Sequence, residues 1–197
     1  MNEKIENLLP KQGAAYLHEG LFSADESANY MEELMTGIRW KQEPIVIFGK
    51  RVMQPRLTAW HGDPGKAYRY SGILMEPTPW NKALLEIKSK IEKSTGVTFN
   101  SALLNQYRHE KDSMGWHRDN EKELGVNPVI ASVSFGEVRR FLFRHYTEKS
   151  LKKELYLSAG SLLLMSGETQ KHWEHSISKQ STPVGPRINI TFRTILS

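Results

Sequence analysis

The chain has 197 residues, of which 39% are hydrophobic and 25% are charged, a composition typical of one globular domain with a sizeable buried core. It contains no cysteine, which excludes disulfides, thiolate zinc sites and cysteine-ligated iron–sulfur clusters, so any metal must be bound by nitrogen and oxygen atoms. A formal net charge of +5 is compatible with a polyanionic partner such as a nucleic acid, although many basic proteins bind none.

The first residues, MNEKIENLLPK, mix polar, acidic and basic side chains and so differ from a secretory signal peptide. No apolar run approaches the roughly 20 residues that cross a bilayer as a helix. We therefore expect no membrane partner and a cytoplasmic location, nucleoid-associated in a bacterium. A nuclear location is also compatible with these features.

The N-terminal half begins with a helix signal and a hairpin signal. Ser23 and Glu26 form a capping box, which predicts a helix from there to about Ile38. The next segment, Arg39–Met53, contains the apolar run IVIF followed by FGKR. This pattern predicts a strand, a turn and a second strand.

A second helix is predicted before the middle of the chain. Thr78 and Pro79 place a cap and then a proline at the first helical position. Gly96 follows the expected end of the helix. The apolar residues on one face of this helix are Leu84, Ile87 and Ile91.

From about Thr98 the pattern changes to short apolar or alternating runs, which predict strands. Turn signals such as GVNP, SAG, SGE and PVGP separate these runs. The runs are FNSALLNQYR, PVIASVSFG, RRFLFRH, KELYLSAGSLLLM and PRINITFRTIL. Several short strands without helices between them predict an α+β chain whose C-terminal half is a β-sandwich or barrel.

His117 and Asp119 are candidate metal ligands. They are two residues apart, so in an extended segment both side chains project to the same side and can bind one ion. Non-haem Fe(II) oxygenases use two histidines and one carboxylate on one face of the metal. The candidates for the second histidine are His172 and His175, in KHWEHSIS. Taken alone, the pair also fits a hydrogen-bonded polar turn, because an H-x-D spacing often arises by chance.

The run RINITFR near the C-terminus alternates polar and apolar residues as a strand does. A solvated outer face would explain its polar residues, which are Arg187, Asn189, Thr191 and Arg193. If that face is buried instead, two guanidinium groups need an anion, and a dicarboxylate meets arginine bidentately. The same alternation provides a second polar pair facing inward, Asn105 and Tyr107.

In this order and spacing, these residues resemble the AlkB family of iron(II)- and 2-oxoglutarate-dependent dioxygenases. The resemblance extends from about Pro44 to the C-terminus and is strongest to the branch that repairs alkylated double-stranded DNA. The matching stretches are IFGKRVMQPR, HGD at 61–63, YRYSG, TFNSALLNQYR, WHRDNE, IASVSFG, FRH, GSLLLM, HWEHS and PRINITFR. The loop SISKQSTPVG carries a single lysine and is less basic than in that branch. The sequence therefore does not decide between duplex and single-stranded substrates.

The resemblance implies a double-stranded β-helix (jelly-roll) core with N-terminal helices and a substrate-recognition lid of hairpins. It implies one dioxygenase domain over residues 1–197, with the N-terminal extension and lid over about 1–97 and the catalytic core over about 98–197. Fe(II) is then held by His117, Asp119 and His175. The cosubstrate 2-oxoglutarate, used with O2, is then bound by Asn105, Tyr107, Arg187, Asn189 and Arg193.

The resemblance also implies contacts to a base that leaves the stack. The lid segment that recognises the base is matched by Tyr68, Tyr70 and Ser71. An aromatic ring there would stack opposite His172 or Trp173, of which His172 fits the family better. Glu121 matches an acidic residue at the edge of the base, where a carboxylate can accept from an exocyclic amine or favour a cationic base. A solvated loop glutamate is the alternative.

The hairpin that contains Phe48 resembles the one with which this branch probes a duplex. An aromatic wedge there fills the gap left by the flipped base, whereas without the resemblance IVIF is simply a core strand. Basic residues expected near phosphates are Lys50, Arg51 and Arg56. Further phosphate candidates, which a solvated basic face also explains, are Arg139, Arg140, Arg144, Lys149, Lys152 and Lys153.

The implied function is oxidative demethylation of N-alkylated DNA bases, of the 1-methyladenine and 3-methylcytosine type, after base flipping. Formaldehyde, succinate and CO2 are then the products, and direct repair of DNA damage is the role. The expected partner is alkylated DNA, as duplex rather than single strand, and the expected state is a monomer. The alternatives are an RNA or tRNA demethylase, a small-molecule hydroxylase of the same chemistry, and a non-catalytic nucleic-acid-binding module.

Overall fold

Strands dominate the computed structural model, which describes residues 6–47, 49–66, 68–70 and 73–196, without the side chains of residues 47, 68–70 and 73–75. The strands are β1 (Ala14–His18), β2 (Pro44–Ile47), β3 (Lys50–Met53), β4 (Leu57–Gly62), β5 (Tyr68–Tyr70), β6 (Ile73–Met75), β7 (Ser101–Tyr107), β8 (Met114–His117), β9 (Ile130–Gly136), β10 (Arg139–His145), β11 (Lys152–Leu157), β12 (Leu162–Ser166), β13 (Trp173–Ile177) and β14 (Arg187–Arg193). The helices are α1 (Ala24–Gly37), α2 (Lys82–Thr95) and α3 (Thr169–His172). Within the described ranges, no helix has the length and apolar character needed to cross a membrane.

Two antiparallel sheets form the core. The larger has six strands in the order β1-β12-β9-β14-β7-β4, and the smaller has four in the order β11-β10-β13-β8. In the larger sheet, Arg187 of β14 pairs with Tyr107 of β7 on one side and with Gly136 of β9 on the other. Two antiparallel sheets whose neighbours are mostly not consecutive in the chain form a jelly-roll, which confirms the predicted fold class. Two separate hairpins, β2-β3 and β5-β6, complete the strands.

The larger sheet is apolar on the face covered by the helices and polar in part on the other. On the covered face, Leu34 of α1 and Leu84 of α2 belong to one buried cluster with Phe192 of β14. A second cluster, which includes Phe143 and Trp173, fills the space between the sheets. Because side chains alternate along a strand, the polar residues of β14 point away from the helices and into that space.

The first helix and the first hairpin confirm their predictions. The Ser23 hydroxyl accepts from the Glu26 N–H at 3.2 Å, and the Glu26 carboxylate accepts from the Ser23 N–H at 2.7 Å. This is the capping box expected from the sequence, and α1 ends within one residue of the expected position. The strands β2 and β3 pair over the segment predicted as strand, turn and strand.

The second helix begins later than predicted. Its N-cap is Asn81, whose side chain accepts from the Leu84 N–H at 2.9 Å. Pro79 is not in the helix, and its carbonyl oxygen instead lies 2.8 Å from Nδ1 of His61. The prediction from Thr78 and Pro79 is therefore wrong, because an asparagine two residues later provides the side-chain cap. The helix ends at Gly96, with φ of 71°, as the sequence predicts.

The predicted boundary near residue 98 does not divide the core. The two edge strands of the larger sheet, β1 and β4, come from the first 62 residues of the chain. Ala14 of β1 pairs with Ser166 of β12, and Thr58 of β4 pairs with Asn105 of β7. The N-terminal half therefore supplies part of the sheet as well as hairpins outside it.

Candidate metal centre and cosubstrate pocket

Three side chains that can ligate a metal meet between the two sheets. His117 ends β8, Asp119 follows it by two residues, and His175 of β13 pairs directly with His117 across the smaller sheet. One ligand atom from each residue lies within 4.8 Å of the other two. This is the donor set of two imidazoles and one carboxylate that Fe(II) oxygenases use. Among the residues that the structure describes, His172 does not join this group.

Hydrogen bonds fix how His117 and Asp119 present their ligand atoms. Nδ1 of His117 is 2.9 Å from the Gly115 carbonyl oxygen, so Nδ1–H donates to it and Nε2 is left for a metal. The Asp119 N–H donates to Oε1 of Gln170 at 2.9 Å, and Oδ1 of Asp119 accepts from Nη2 of Arg193 at 2.7 Å. Sequence reasoning missed Gln170 of α3, because a single glutamine carries no motif of its own.

Burial and nearby charge hold the triad in the protonation state of a ligand set. Burial lowers the pKa of His175 to about 3, with a further contribution from His117, and burial also lowers the pKa of His117. For Asp119, burial opposes ionisation, but the positive charge of Arg193 keeps its pKa below the ordinary value. At neutral pH the imidazoles are therefore neutral and the carboxylate is ionised, which is the form that binds a divalent metal.

The polar face of β14 is buried, so the solvated-face alternative is wrong. Arg187 is 1% exposed and Arg193 is 6% exposed. Nη2 of Arg187 donates to the Ser134 hydroxyl at 2.9 Å, whereas its Nε and Nη1 have no hydrogen-bond partner among the described residues. Burial lowers the pKa of Arg187 to about 10, so it is still a cation at neutral pH. A buried cation with two donors to spare fits a carboxylate, as the cosubstrate 2-oxoglutarate would provide.

One cavity between the sheets joins the triad to the cosubstrate candidates. Oδ1 of Asn105 accepts from Nε of Arg56 at 2.7 Å, and Nδ2 of Asn189 donates to the Ser132 hydroxyl at 2.8 Å. The lining of this cavity includes all of the metal and cosubstrate residues named from the sequence, namely Asn105, Tyr107, His117, Asp119, His175, Arg187, Asn189 and Arg193. The donor atoms and the buried positive charge fit Fe(II) and 2-oxoglutarate.

The residues expected to contact the base differ in their surroundings. Oε2 of Glu121 is buried without a hydrogen-bond partner among the described residues, which does not fit a solvated loop glutamate. The His172 ring lies parallel to that of His145, with centroids 6.0 Å apart. Trp173 is fully buried and its Nε1–H donates to the Lys11 carbonyl at 3.0 Å, so it is a core residue. Phe48 and Ser71 lie outside the described residues, as do the side chains of Tyr68 and Tyr70.

Two of the predicted phosphate contacts are corrected. Arg56 is 5% exposed and donates to Asn105 inside the fold, so it is not available to a phosphate on the surface. Arg139 is fully buried and donates to the backbone carbonyls of Asp112 and Ser178, each at 2.8 Å. The candidates that are exposed are Lys50, Arg51, Arg140, Lys149, Lys152 and Lys153. Arg144 is half-buried and pairs with Glu174.

Comparison with known proteins gives consistent matches. The family profile described as the 2OG-Fe(II) oxygenase superfamily matches residues 13–193. Human alpha-ketoglutarate-dependent dioxygenase alkB homolog 3 is 42% identical over 189 residues, which cover 91% of this chain and 65% of that protein. Human DNA oxidative demethylase ALKBH2 is 38% identical over 184 residues, which cover 90% of this chain and 70% of that protein.

Among solved structures, OsALKBH1 superposes with a TM-score of 0.66 at 16% identity, over 98% of this chain and 99% of that chain, and so supports the fold. The chain spans just under two thirds of the length of the alkB homolog 3 proteins that it matches. From the profile, the relatives and the triad together, the chain belongs to the 2OG-Fe(II) oxygenase superfamily and, within it, to the AlkB family.

Proposed function

We propose that this protein is an Fe(II)- and 2-oxoglutarate-dependent dioxygenase that removes methyl groups from the ring nitrogens of nucleic-acid bases, with alkylated DNA as its substrate. The observation that carries the proposal is the buried Arg187, with two donor nitrogens unpartnered among the described residues, in the same cavity as the metal triad. The name DNA oxidative demethylase, which the ALKBH2 relatives carry, supports a DNA base as the substrate.

The residues of the site have separate roles in binding the metal and the cosubstrate. When bound, Fe(II) with 2-oxoglutarate and O2 supplies the oxidising power that places one oxygen atom in a C–H bond of the methyl group. His117, Asp119 and His175 would hold the metal through two imidazoles and one carboxylate. Arg187 neutralises and orients a cosubstrate carboxylate, and Arg193 holds the Asp119 carboxylate at 2.7 Å so that it cannot rotate away.

On the base, one oxygen atom enters the N-methyl group and the other enters the succinate formed from 2-oxoglutarate with loss of CO2. The N-hydroxymethyl product then loses formaldehyde as its N–C bond breaks, and the base is restored. Because the methyl group must reach the metal, the base has to leave the stack. The buried Oε2 of Glu121 is an acceptor for an exocyclic amine and favours the cationic, methylated form of the base.

The direct test is incubation with Fe(II), 2-oxoglutarate and an oligonucleotide that contains 1-methyladenine or 3-methylcytosine. We expect formaldehyde and the unmethylated base by mass spectrometry, and loss of both in the His117→Ala variant. Methylated RNA and free methylated nucleosides in the same screen separate the alternatives. Turnover of RNA or nucleosides alone would contradict a DNA substrate, and no turnover of any of them would contradict the proposed enzyme.

We further propose that the β2-β3 hairpin probes a DNA duplex. Val46 is 69% exposed and Met53 is 50% exposed, beside the exposed cations Lys50 and Arg51. Exposed apolar side chains next to basic ones suit contact with base pairs and phosphates together. Phe48 lies between β2 and β3 in the sequence, and Phe48→Ala is expected to slow demethylation of duplex substrates at least about tenfold more than that of single strands. Equal effects on both would contradict the wedge.

A further inference from the structure

A second cavity, of about 240 Å³, adjoins the metal site beneath the edge strand β4. Its lining includes Arg56 and Arg193, which donate to Asn105 and Asp119 of the metal and cosubstrate pocket. It is also lined by Glu43 and Gln54, which flank the β2-β3 hairpin, and by Glu76, which follows β6. The cavity therefore shares part of its wall with the pocket of the metal ligands, where the methyl group of a flipped base has to arrive.

Within the described part of the chain, Gln54 is the one glutamine that lines this cavity. Its side chain is 1% exposed, and neither Oε1 nor Nε2 has a hydrogen-bond partner among the described residues. Its backbone, in contrast, is fully engaged, because its N–H donates to the Glu43 carbonyl at 3.0 Å and its carbonyl accepts from Gln42 at 2.8 Å. The backbone thus fixes the position of an amide whose polar atoms are unpaired.

A buried amide without partners destabilises a fold, because each donor and acceptor has lost its hydrogen bonds to water. A methionine or leucine at the same position would avoid this loss. An unpaired buried polar group beside a metal site is therefore expected where a ligand completes its hydrogen bonds. Gln54 presents one acceptor and one donor side by side.

We infer that Gln54 reads the edge of a flipped adenine and makes this protein prefer 1-methyladenine to 3-methylcytosine; the inference rests on the proposed function. Oε1 accepts from the exocyclic N6 amine and Nε2 donates to the adjacent ring nitrogen N7, which is the bidentate match of an amide to adenine. A methylated cytosine offers its N4 amine but has a C–H group where adenine has N7. The cytosine therefore leaves Nε2 of Gln54 buried and unpaired.

The test compares Gln54→Met with the wild-type protein on single-stranded oligonucleotides that differ only in the methylated base. We expect kcat/KM for 1-methyladenine to fall about tenfold and that for 3-methylcytosine to change by less than about twofold. Fluorescence anisotropy without 2-oxoglutarate gives a readout that needs no turnover, and there Gln54→Met should weaken binding of the 1-methyladenine oligonucleotide selectively. The Tm should stay equal or rise, because an unpaired amide is removed.

Gln106→Met is the matched control. Gln106 is 6% exposed, but it alternates with Asn105 and Tyr107 on β7 and contacts Met35 of α1 instead of the cavity. The Gln106→Met variant should leave the ratio of kcat/KM for the two substrates unchanged. If Gln54→Met does not fold, Gln54→Leu replaces it in the test. If the wild type demethylates neither base, the proposed function fails. If the wild type demethylates both bases, two results for Gln54→Met would overturn the inference about Gln54 and leave the proposed function intact. One is an unchanged ratio of kcat/KM for the two bases, and the other is a lower Tm with an equal loss of activity on both.

Discussion

Two buried arginines illustrate how differently one side chain can be used. Arg139 donates to three backbone carbonyls, those of His109, Asp112 and Ser178, and so joins three segments of the chain. Arg187 donates to the Ser134 hydroxyl and lies 5.3 Å from the centre of the Tyr107 ring, but its Nε and Nη1 have no hydrogen-bond partner in the described part of the chain. The first arrangement stabilises the fold, whereas the second holds a charge ready for an anion.

This contrast predicts opposite results for the same substitution. Arg187→Met should weaken 2-oxoglutarate binding at least about tenfold, because the charge-assisted hydrogen bonds to a carboxylate are removed, and should leave the free energy of unfolding equal or higher. Arg139→Met should lower the free energy of unfolding by about 3 kcal/mol, because buried carbonyl groups are deprived of their donors. Calorimetric titration with 2-oxoglutarate and urea unfolding of both variants measure the difference. A large loss of stability in Arg187→Met would contradict the role of Arg187 as an anion site.

Gln170 is expected to act on the metal through Asp119. Its Oε1 accepts from the Asp119 N–H at 2.9 Å and so fixes the backbone that carries the ligand. Gln170→Met should weaken Fe(II) binding about tenfold, as removal of groups that orient metal ligands does in other sites. Metal titration followed by tryptophan fluorescence measures this, with KM for 2-oxoglutarate expected to change less than the affinity for iron. Unchanged iron affinity would show that the hydrogen bond serves the fold alone.

Among the secondary-structure elements, the sequence predicted long strands well and short ones poorly. The runs that became β7, β9, β10 and β14 are apolar or alternating over seven residues each, which is long enough to indicate a strand. β8 and β13, which carry the two histidine ligands, span four and five residues and include Gly115 and the charged Glu174. Such segments become strands through their neighbours in the sheet, and β1 likewise depends on β12, which lies far along the chain.

The ligands themselves were predictable because their spacing and order are tied to the chemistry of the metal and the dicarboxylate. Gln54 and Gln170 were not, since their importance arises from burial and from hydrogen bonds between distant segments. Burial also decided between interpretations that the sequence left open. It placed the arginines of β14 inside the fold and removed Arg56 and Arg139 from the surface.

The start of α2 allows a test of which residue caps this helix. The Asn81 side chain accepts from the Leu84 N–H, whereas Thr78 lies three residues before it and is exposed. Asn81→Ala should lower the free energy of unfolding by about 1 kcal/mol, and Thr78→Ala by less than about 0.5 kcal/mol. Thermal or urea unfolding of the two variants distinguishes them. A larger loss for Thr78→Ala would restore the start of the helix that the sequence indicated.

For the whole molecule, the net charge of +5 is relevant only if the positive side chains meet a phosphate backbone. Lys152 and Lys153 are exposed at the start of β11, on the smaller sheet. Lys82 and Lys93 are equally exposed on α2, which covers the larger sheet. The two pairs therefore carry the same charge on different sides of the core.

Charge reversal at these pairs should distinguish a local binding surface from a general effect of net charge. Lys152→Glu with Lys153→Glu should weaken binding of an unmodified oligonucleotide and reduce the slope of log K against log salt by about two, one for each phosphate that a lysine no longer neutralises. Lys82→Glu with Lys93→Glu changes the net charge equally and should alter that slope much less. Anisotropy titrations between about 50 and 200 mM salt, a range over which such effects separate, provide the measurement. Equal slopes for both double variants would contradict a phosphate surface on the smaller sheet.

The position of β14 constrains the order in which the strands can pair while the chain is being synthesised. It is the last of the described strands along the chain, yet it lies between β9 and β7 in the middle of the larger sheet. A nascent chain can thus pair β1, β12 and β9 on one side and β7 with β4 on the other, but the two halves join only after residues 187–193 have emerged. Because Arg187 and Arg193 arrive on that same strand, an unfinished chain lacks the residues that organise the metal pocket.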